Sequence, residues 1–125
     1  MSTVRVLVVE DDPSVRGLMQ TLLSAEGYQV STAADGRAGL MEVASRPPSL
    51  LLLDLVLPDL GGVRVLEQMR EDPELAGIPV LVVTGDVDAV PAMRELLGED
   101  NVFPKPFAAV GLLARVADMT GGPGA

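Results

Sequence analysis

The chain contains no cysteine and no histidine. The first absence excludes disulfides and thiol catalysis; the second excludes imidazole bases, histidine metal ligands and any phosphohistidine formed on this chain. Carboxylates, hydroxyls and amines are left for chemistry. Positive charge is also scarce: nine Lys and Arg stand against eighteen Asp and Glu, for a net charge of −9. That balance repels nucleic-acid phosphates and anionic membranes, and it favours a basic or metal-bearing partner over direct contact with DNA or a membrane. No apolar stretch approaches the ~20 residues of a membrane span, and the N-terminus lacks the pattern of a signal peptide. The expected location is cytoplasmic.

What is present is sized for one domain. A chain of 125 residues buries about two thirds of its unfolded surface on folding, enough for a core. The organising stretch is Leu50 to Gly62, LLLLDLVLPDLGG. Four leucines without polar alternation describe a strand buried on both faces, as in parallel sheets covered by helices. Asp54 then ends the strand at its carboxyl end, where open α/β sheets bind their ligands. Alone, Asp54 reads equally well as a residue that caps its own loop.

The rest of the chain alternates strands with helices. Val4 to Val9 is an apolar, β-branched strand that runs into Glu10, Asp11 and Asp12. Asp12 as N-cap and Pro13 at the first helical position start a helix marked by Val15, Leu18, Met19, Leu22 and Leu23, which Gly27 ends. Tyr28 to Ala33 alternates as a second strand, and Asp35 caps a helix over Leu40, Val43 and Ala44 that Pro47 and Pro48 close. Beyond the central strand, Val63, Val65, Leu66 and Met69 mark a third helix ended near Asp72 and Pro73, and Ile78 to Thr84 is a fourth strand. Asp88 is placed to cap a short fourth helix with Pro91 in its first turn. Gly98 ends that helix.

Val102 to Pro104 is a brief fifth strand, set at a sheet edge by its proline. Phe107 to Met119 forms the last helix, with Val110, Leu113, Val116 and Ala117 inward. Five strands alternating with five helices predict a doubly wound, flavodoxin-like parallel sheet of order 2-1-3-4-5, spanning residues 1–119 with a flexible tail over 120–125.

In that fold Glu10, Asp11, Asp54, Thr84 and Lys105 share one rim. Crowded carboxylates repel one another, and a hard divalent cation such as Mg²⁺ relieves the repulsion through oxygen ligands. Lys105 is the only lysine among nine cations, which suggests a compact charge placed for a partner. Solvated loop acids and a chance surface lysine are the plainer explanations.

From Val4 through Met119, the series VVEDD, LLLDLVLPDLGG, VLVVTG and FPKPF resembles the receiver domain of bacterial two-component response regulators, the CheY-like family. Each motif is weak alone; in register with five βα units they are specific. The resemblance implies that Asp54 takes a phosphoryl group from a sensor histidine kinase or phosphotransfer protein. It further implies that Asp11, Asp54 and the Val56 carbonyl hold Mg²⁺ with Glu10 acting through water, and that Thr84 and Lys105 bind phosphoryl oxygens. It also implies a cis bond between Lys105 and Pro106.

The chain departs from the family at Val102, where an aromatic usually moves with the threonine hydroxyl. Strand alternation sends the adjacent Phe103 to the opposite face as core, so signalling is expected to rely on the loop 85–90 and the fourth helix. The resemblance further implies that Val56 and Asp86, two positions beyond Asp54 and Thr84, flank the path of a hydrolytic water, so they are expected to tune phosphoryl lifetime. The implied readout surface, the fourth helix with the fifth strand and helix, serves a downstream protein, an output domain or a phosphorylation-dependent homodimer of an otherwise monomeric chain.

The reading is of a phosphoacceptor that assists its own phosphotransfer and dephosphorylation, not of an enzyme. A stand-alone receiver and a piece of a larger regulator or hybrid kinase fit equally. Three rivals are a phosphorylation-independent interaction module, an aspartyl phosphatase and a flavin-binding module. The phosphatase pattern needs a second acid where Val56 stands, and a flavin-binding module of the same fold would meet three repelling acids after its first strand.

Overall fold

The computed structural model describes residues 3–124; Met1, Ser2 and Ala125, the outer ends of the expected domain and tail, lie outside the described residues. Five parallel strands, β1 (Arg5–Val9), β2 (Gln29–Ala33), β3 (Leu50–Leu53), β4 (Val80–Thr84) and β5 (Val102–Pro104), form one sheet of order β2-β1-β3-β4-β5. They alternate with α1 (Pro13–Ala25), α2 (Gly36–Ser45), α3 (Gly62–Glu71), α4 (Val90–Leu97) and α5 (Ala109–Thr120). The predicted strand order holds.

Strand alternation divides the core into two layers. Leu7, Val9, Leu51, Leu53, Val82 and Val102 face α2, α3 and α4 and pack against Val43, Val65, Leu66, Met69, Val90 and Met93. Val6, Val8, Leu50, Leu52, Leu81 and Val83 face α1 and α5 and meet Met19, Leu23, Leu112 and Val116. The central strand β3 is buried along its whole length because helices cover both of its faces. Each fully buried leucine there contributes about 2 kcal/mol from removal of its apolar surface from water. α2 lies close on the sheet, since a Cβ at Gly39 would stand 2.8 Å from Val9 Cγ2.

Helix starts follow the expected chemistry in the first half of the chain. Asp12 Oδ1 accepts from Ser14 N–H at 2.8 Å with Pro13 at the first position of α1, and Asp35 Oδ1 accepts from Ala38 N–H at 2.8 Å at the start of α2. The second half differs. Asp88 does not cap α4: it lies within a single 3-10 turn, Val87–Ala89, and the N-cap is Ala89, without a side-chain hydrogen bond. The turn consumes the residues that an aspartate cap would need as free backbone donors. Gly98 ends α4 at φ 110°, as its position suggested.

α5 turns inward a face that overlaps only in part with the one expected: Val116 and Leu113 lie on it, Val110 and Ala117 do not. Leu112 and Val116 are buried, Leu113 is half-buried, and Val110 is 82% exposed with Ala117 also outward. The helix is apolar at most positions, so several helical stripes fit its sequence and only packing against α1 and β3 selects one. It runs through Thr120, and beyond it the Pro123 carbonyl accepts from Val4 N–H at 3.2 Å. Phe103 lies on the α1 and α5 face as strand alternation required, partly buried, while Val102 is buried on the other.

Candidate functional site

Parallel winding brings the carboxyl ends of β1, β3, β4 and β5 to one rim, so residues just past those strands converge. Glu10 and Asp11 follow β1, Asp54 follows β3, Thr84 ends β4 and Lys105 follows β5. Lys105 Nζ donates to Glu10 Oε1 at 2.6 Å and to Asp54 Oδ2 at 3.0 Å, joining strand ends that are 95 and 51 residues away in sequence. Glu10, Asp11 and Asp54 each offer a carboxylate oxygen, all within 4.8 Å of one another. Glu10 is 1% and Asp54 4% exposed, whereas Asp11 is open to solvent.

The backbone at strand ends orients these groups. Asp12 N–H donates to Glu10 Oε2 at 3.1 Å, so both Glu10 oxygens are engaged. Val56 N–H donates to Asp54 Oδ1 at 3.1 Å, which makes Asp54 a cap of its own loop and a member of the cluster at once. The Thr84 hydroxyl, fully buried, accepts from Asp86 N–H at 3.1 Å, and the Thr84 carbonyl accepts from Lys105 N–H at 2.8 Å. The Lys105–Pro106 bond is cis.

Charge and burial set the electrostatics. Burial pushes the Glu10 carboxyl up, opposed by hydrogen bonds from Lys105 and the Asp12 N–H, with the Asp54 charge adding to the rise. Burial works against the Lys105 ammonium, but its hydrogen bonds to Glu10 and Asp54 and the charge of both carboxylates outweigh this and hold it above the usual lysine value. Three acids against one contacting ammonium leave a surplus of negative charge on hard oxygen donors. That donor set fits a divalent cation such as Mg²⁺.

Two neighbours were not singled out from sequence. Arg16, on α1, donates from Nη1 to the carbonyls of Glu10 at 3.0 Å and Asp11 at 3.2 Å. Asp59, in the loop after Asp54, accepts from Gly36 N–H at 2.8 Å and Arg37 N–H at 3.0 Å at the start of α2. Despite some burial, backbone hydrogen bonds, including those from Leu60, Arg37 and Gly36, lower its carboxyl to about 2. An aspartate in a Pro-Asp turn carries no sign of a helix start more than twenty residues earlier; only the fold reveals the contact.

Fold and rim together define a doubly wound α/β domain that gathers carboxylates, a hydroxyl and one amine at its strand ends. A family model described as the response regulator receiver domain matches residues 6–117. The chain belongs to that family, which operates in two-component systems. The chain is 37% identical over 113 residues to the DNA-binding response regulator MtrA of Mycolicibacterium smegmatis, covering 90% of this chain and 48% of that protein. It is 40% identical over 114 residues to the response regulator MprA of Mycolicibacterium vanbaalenii, with the same coverage of 90% and 48%. The chain thus spans about half the length of the curated relatives it matches.

Among solved structures, a putative response regulator from Chloroflexus aurantiacus superimposes with a TM-score of 0.86 at 30% identity, over 96% of this chain and 99% of that one. The chemotaxis protein CheY4 of Vibrio cholerae gives 0.83 at 25% identity, over 94% and 99%. No helix of the described residues is long and apolar enough to cross a membrane.

Proposed function

We propose that Asp54 accepts a phosphoryl group from the phosphohistidine of a sensor histidine kinase or phosphotransfer protein. The observation that carries this is Lys105 Nζ bridging Glu10 and Asp54, with Asp11 completing the acidic cluster. An Asp54 carboxylate oxygen attacks phosphorus in line, the P–N bond breaks with its electron pair going to nitrogen, and the partner's ring, protonated on its other nitrogen, leaves as neutral imidazole. An anionic nucleophile approaches an anionic phosphoryl group only when charge is neutralised around both. Asp11, Asp54 and the Val56 carbonyl would hold a Mg²⁺ ion, with Glu10 acting through water, and the ion would supply part of that neutralisation. Lys105 supplies the rest by turning from Asp54 to a phosphoryl oxygen. The Thr84 hydroxyl accepts from Asp86 N–H and keeps its own proton to donate to a second phosphoryl oxygen.

The domain, residues 1–119 with the tail 120–125, acts as a phosphoacceptor that assists its own transfer and hydrolysis. Val56, 55% exposed beside Asp54, cannot orient water, whereas Asp86 carries a carboxylate that can. Exchanging either changes phosphoryl lifetime. With Val102 buried under α4 in place of an aromatic, the signal passes through residues 85–97 to the surface of α4, β5 and α5. That surface engages a downstream protein, an output domain or a second copy of the chain. A net charge of −9 argues against direct DNA contact by this stretch; the relative described as DNA-binding is about twice as long. We place the protein in the cytoplasm, where the donor kinase presents its phosphohistidine.

The test is incubation with Mg²⁺ and acetyl phosphate, read by intact mass. One phosphoryl group is added to the wild type and none to Asp54→Asn or to wild type with chelator. Addition to Asp54→Asn refutes the assignment.

A further inference from the structure

Arg16 touches the acidic rim through its backbone. One terminal nitrogen, Nη1, donates to the Glu10 carbonyl at 3.0 Å and to the Asp11 carbonyl at 3.2 Å. These are consecutive peptide groups of the residues whose carboxylates join Asp54 within 4.8 Å. Spending both hydrogens of one nitrogen on two successive carbonyls fixes the two peptide planes relative to each other. The same short segment is held at Glu10 N–H by the Ala33 carbonyl at 3.0 Å and at Asp12 N–H by Glu10 Oε2 at 3.1 Å.

We propose that Arg16 is a positioning residue for the divalent-cation site, gripping the backbone of Glu10 and Asp11 so that their carboxylates remain gathered against mutual repulsion. This rests on the reading of the rim as a cation-dependent phosphoacceptor site. The need is physical. Glu10 is buried and has both oxygens bonded, but Asp11 is exposed, and an exposed carboxylate beside two others relaxes away from them unless its backbone is fixed. Groups that orient metal ligands without touching the metal commonly change affinity about 10-fold to 100-fold when removed.

Arg16 also makes a sign test possible. Its guanidinium is permanently charged, so as a bystander it would oppose cation binding, and its removal would tighten the site. As a positioning residue its removal weakens the site. The experiment titrates Mn²⁺, read by water-proton relaxation and displaced by Mg²⁺, into wild type, Arg16→Met and Arg16→Lys, with thermal unfolding in chelator to establish that each is folded. Arg16→Met is expected to bind about 10-fold more weakly. Arg16→Lys, whose ammonium can donate to both carbonyls, recovers most of that loss. Arg16→Leu, neutral and without a donor, is read as Arg16→Met is if the methionine chain does not fold. Equal or tighter binding by the folded neutral variant overturns the proposal while leaving the cation site intact. A wild type that binds neither ion overturns the reading of the site itself, and the proposal with it.

Discussion

The loop after β3 and the loop after β4 leave the same rim of the sheet and are held to different degrees. The first is closed on itself: Gly62 N–H donates to the Leu55 carbonyl at 2.9 Å, Val56 N–H donates to Asp54 at 3.1 Å, and Asp59 is anchored to the start of α2. A Cβ at Gly62 would overlap the Asp54 carbonyl oxygen and stand 2.6 Å from Leu55 Cα. The second loop is turned by the same kind of bond, Asp86 N–H to the Thr84 hydroxyl at 3.1 Å, but a Cβ at Gly85 meets nothing within 4 Å and no side chain ties the loop to another helix start as Asp59 does in the first. A nucleophile must be held to a fraction of an ångström, whereas an output segment must have a second arrangement available. The comparison teaches that the loop after Asp54 is packed against backbone at Gly62 while the loop after Thr84 has room around Gly85.

The largest effect should come from the glycines. Gly62→Ala should cost about 3 kcal/mol, because the new methyl meets backbone that cannot give way, while Gly85→Ala should stay within about 0.5 kcal/mol. Urea unfolding of both decides; equal values would break the comparison. Next come the caps. Asp12→Ala should cost about 1 kcal/mol by removing the α1 cap, and Asp88→Ala, which removes none, should again stay within about 0.5 kcal/mol.

Asp59 ties the pinned loop to α2 and adds a pH dependence. Its carboxyl is lowered from 3.8 to about 2 in the folded chain, so its stabilisation is present above about pH 4 and fades as pH falls towards 2. Asp59→Asn should therefore melt below wild type at neutral pH, with the gap closing across that window. A gap that persists at pH 2 would assign the effect to shape instead of charge.

Two smaller effects sharpen the contrast further. Crystal structures with and without a phosphoryl mimic should differ through residues 85–97 and superimpose through 54–62; superposition through both would remove the proposed route of the signal. Val56→Asn and Asp86→Ala should each change the dephosphorylation rate with little change in melting temperature. Unchanged rates would take lifetime control away from these positions.

Some of this was legible because local chemistry and global fold agree. Leu50 to Leu53 has no polar alternation, and β3 is covered on both faces; Asp12 with Pro13, and Asp35, mark helix starts that need only adjacent backbone. Asp88 misled because the signal for a cap is the same whether or not a 3-10 turn intervenes. α5 misled because an apolar helix offers more than one inward stripe, and Val110 proved the wrong choice while Leu112 went unremarked. Arg16 and Asp59 were invisible as site residues because their partners are backbone groups, which every sequence has and none advertises.

The sequence by itself determined the alternation of elements, the order in which acids, hydroxyl and lysine appear, and the absence of histidine and cysteine from any chemistry. Those follow from residue type and short-range spacing, which the backbone cannot change. Tertiary structure alone decided that Lys105 Nζ stands 2.6 Å from Glu10 and 3.0 Å from Asp54, that Arg16 grips two carbonyls, and which face of α5 is core. Such facts depend on parallel strands brought into register by both core layers at once, and register is a property of the packed sheet, not of any segment in it.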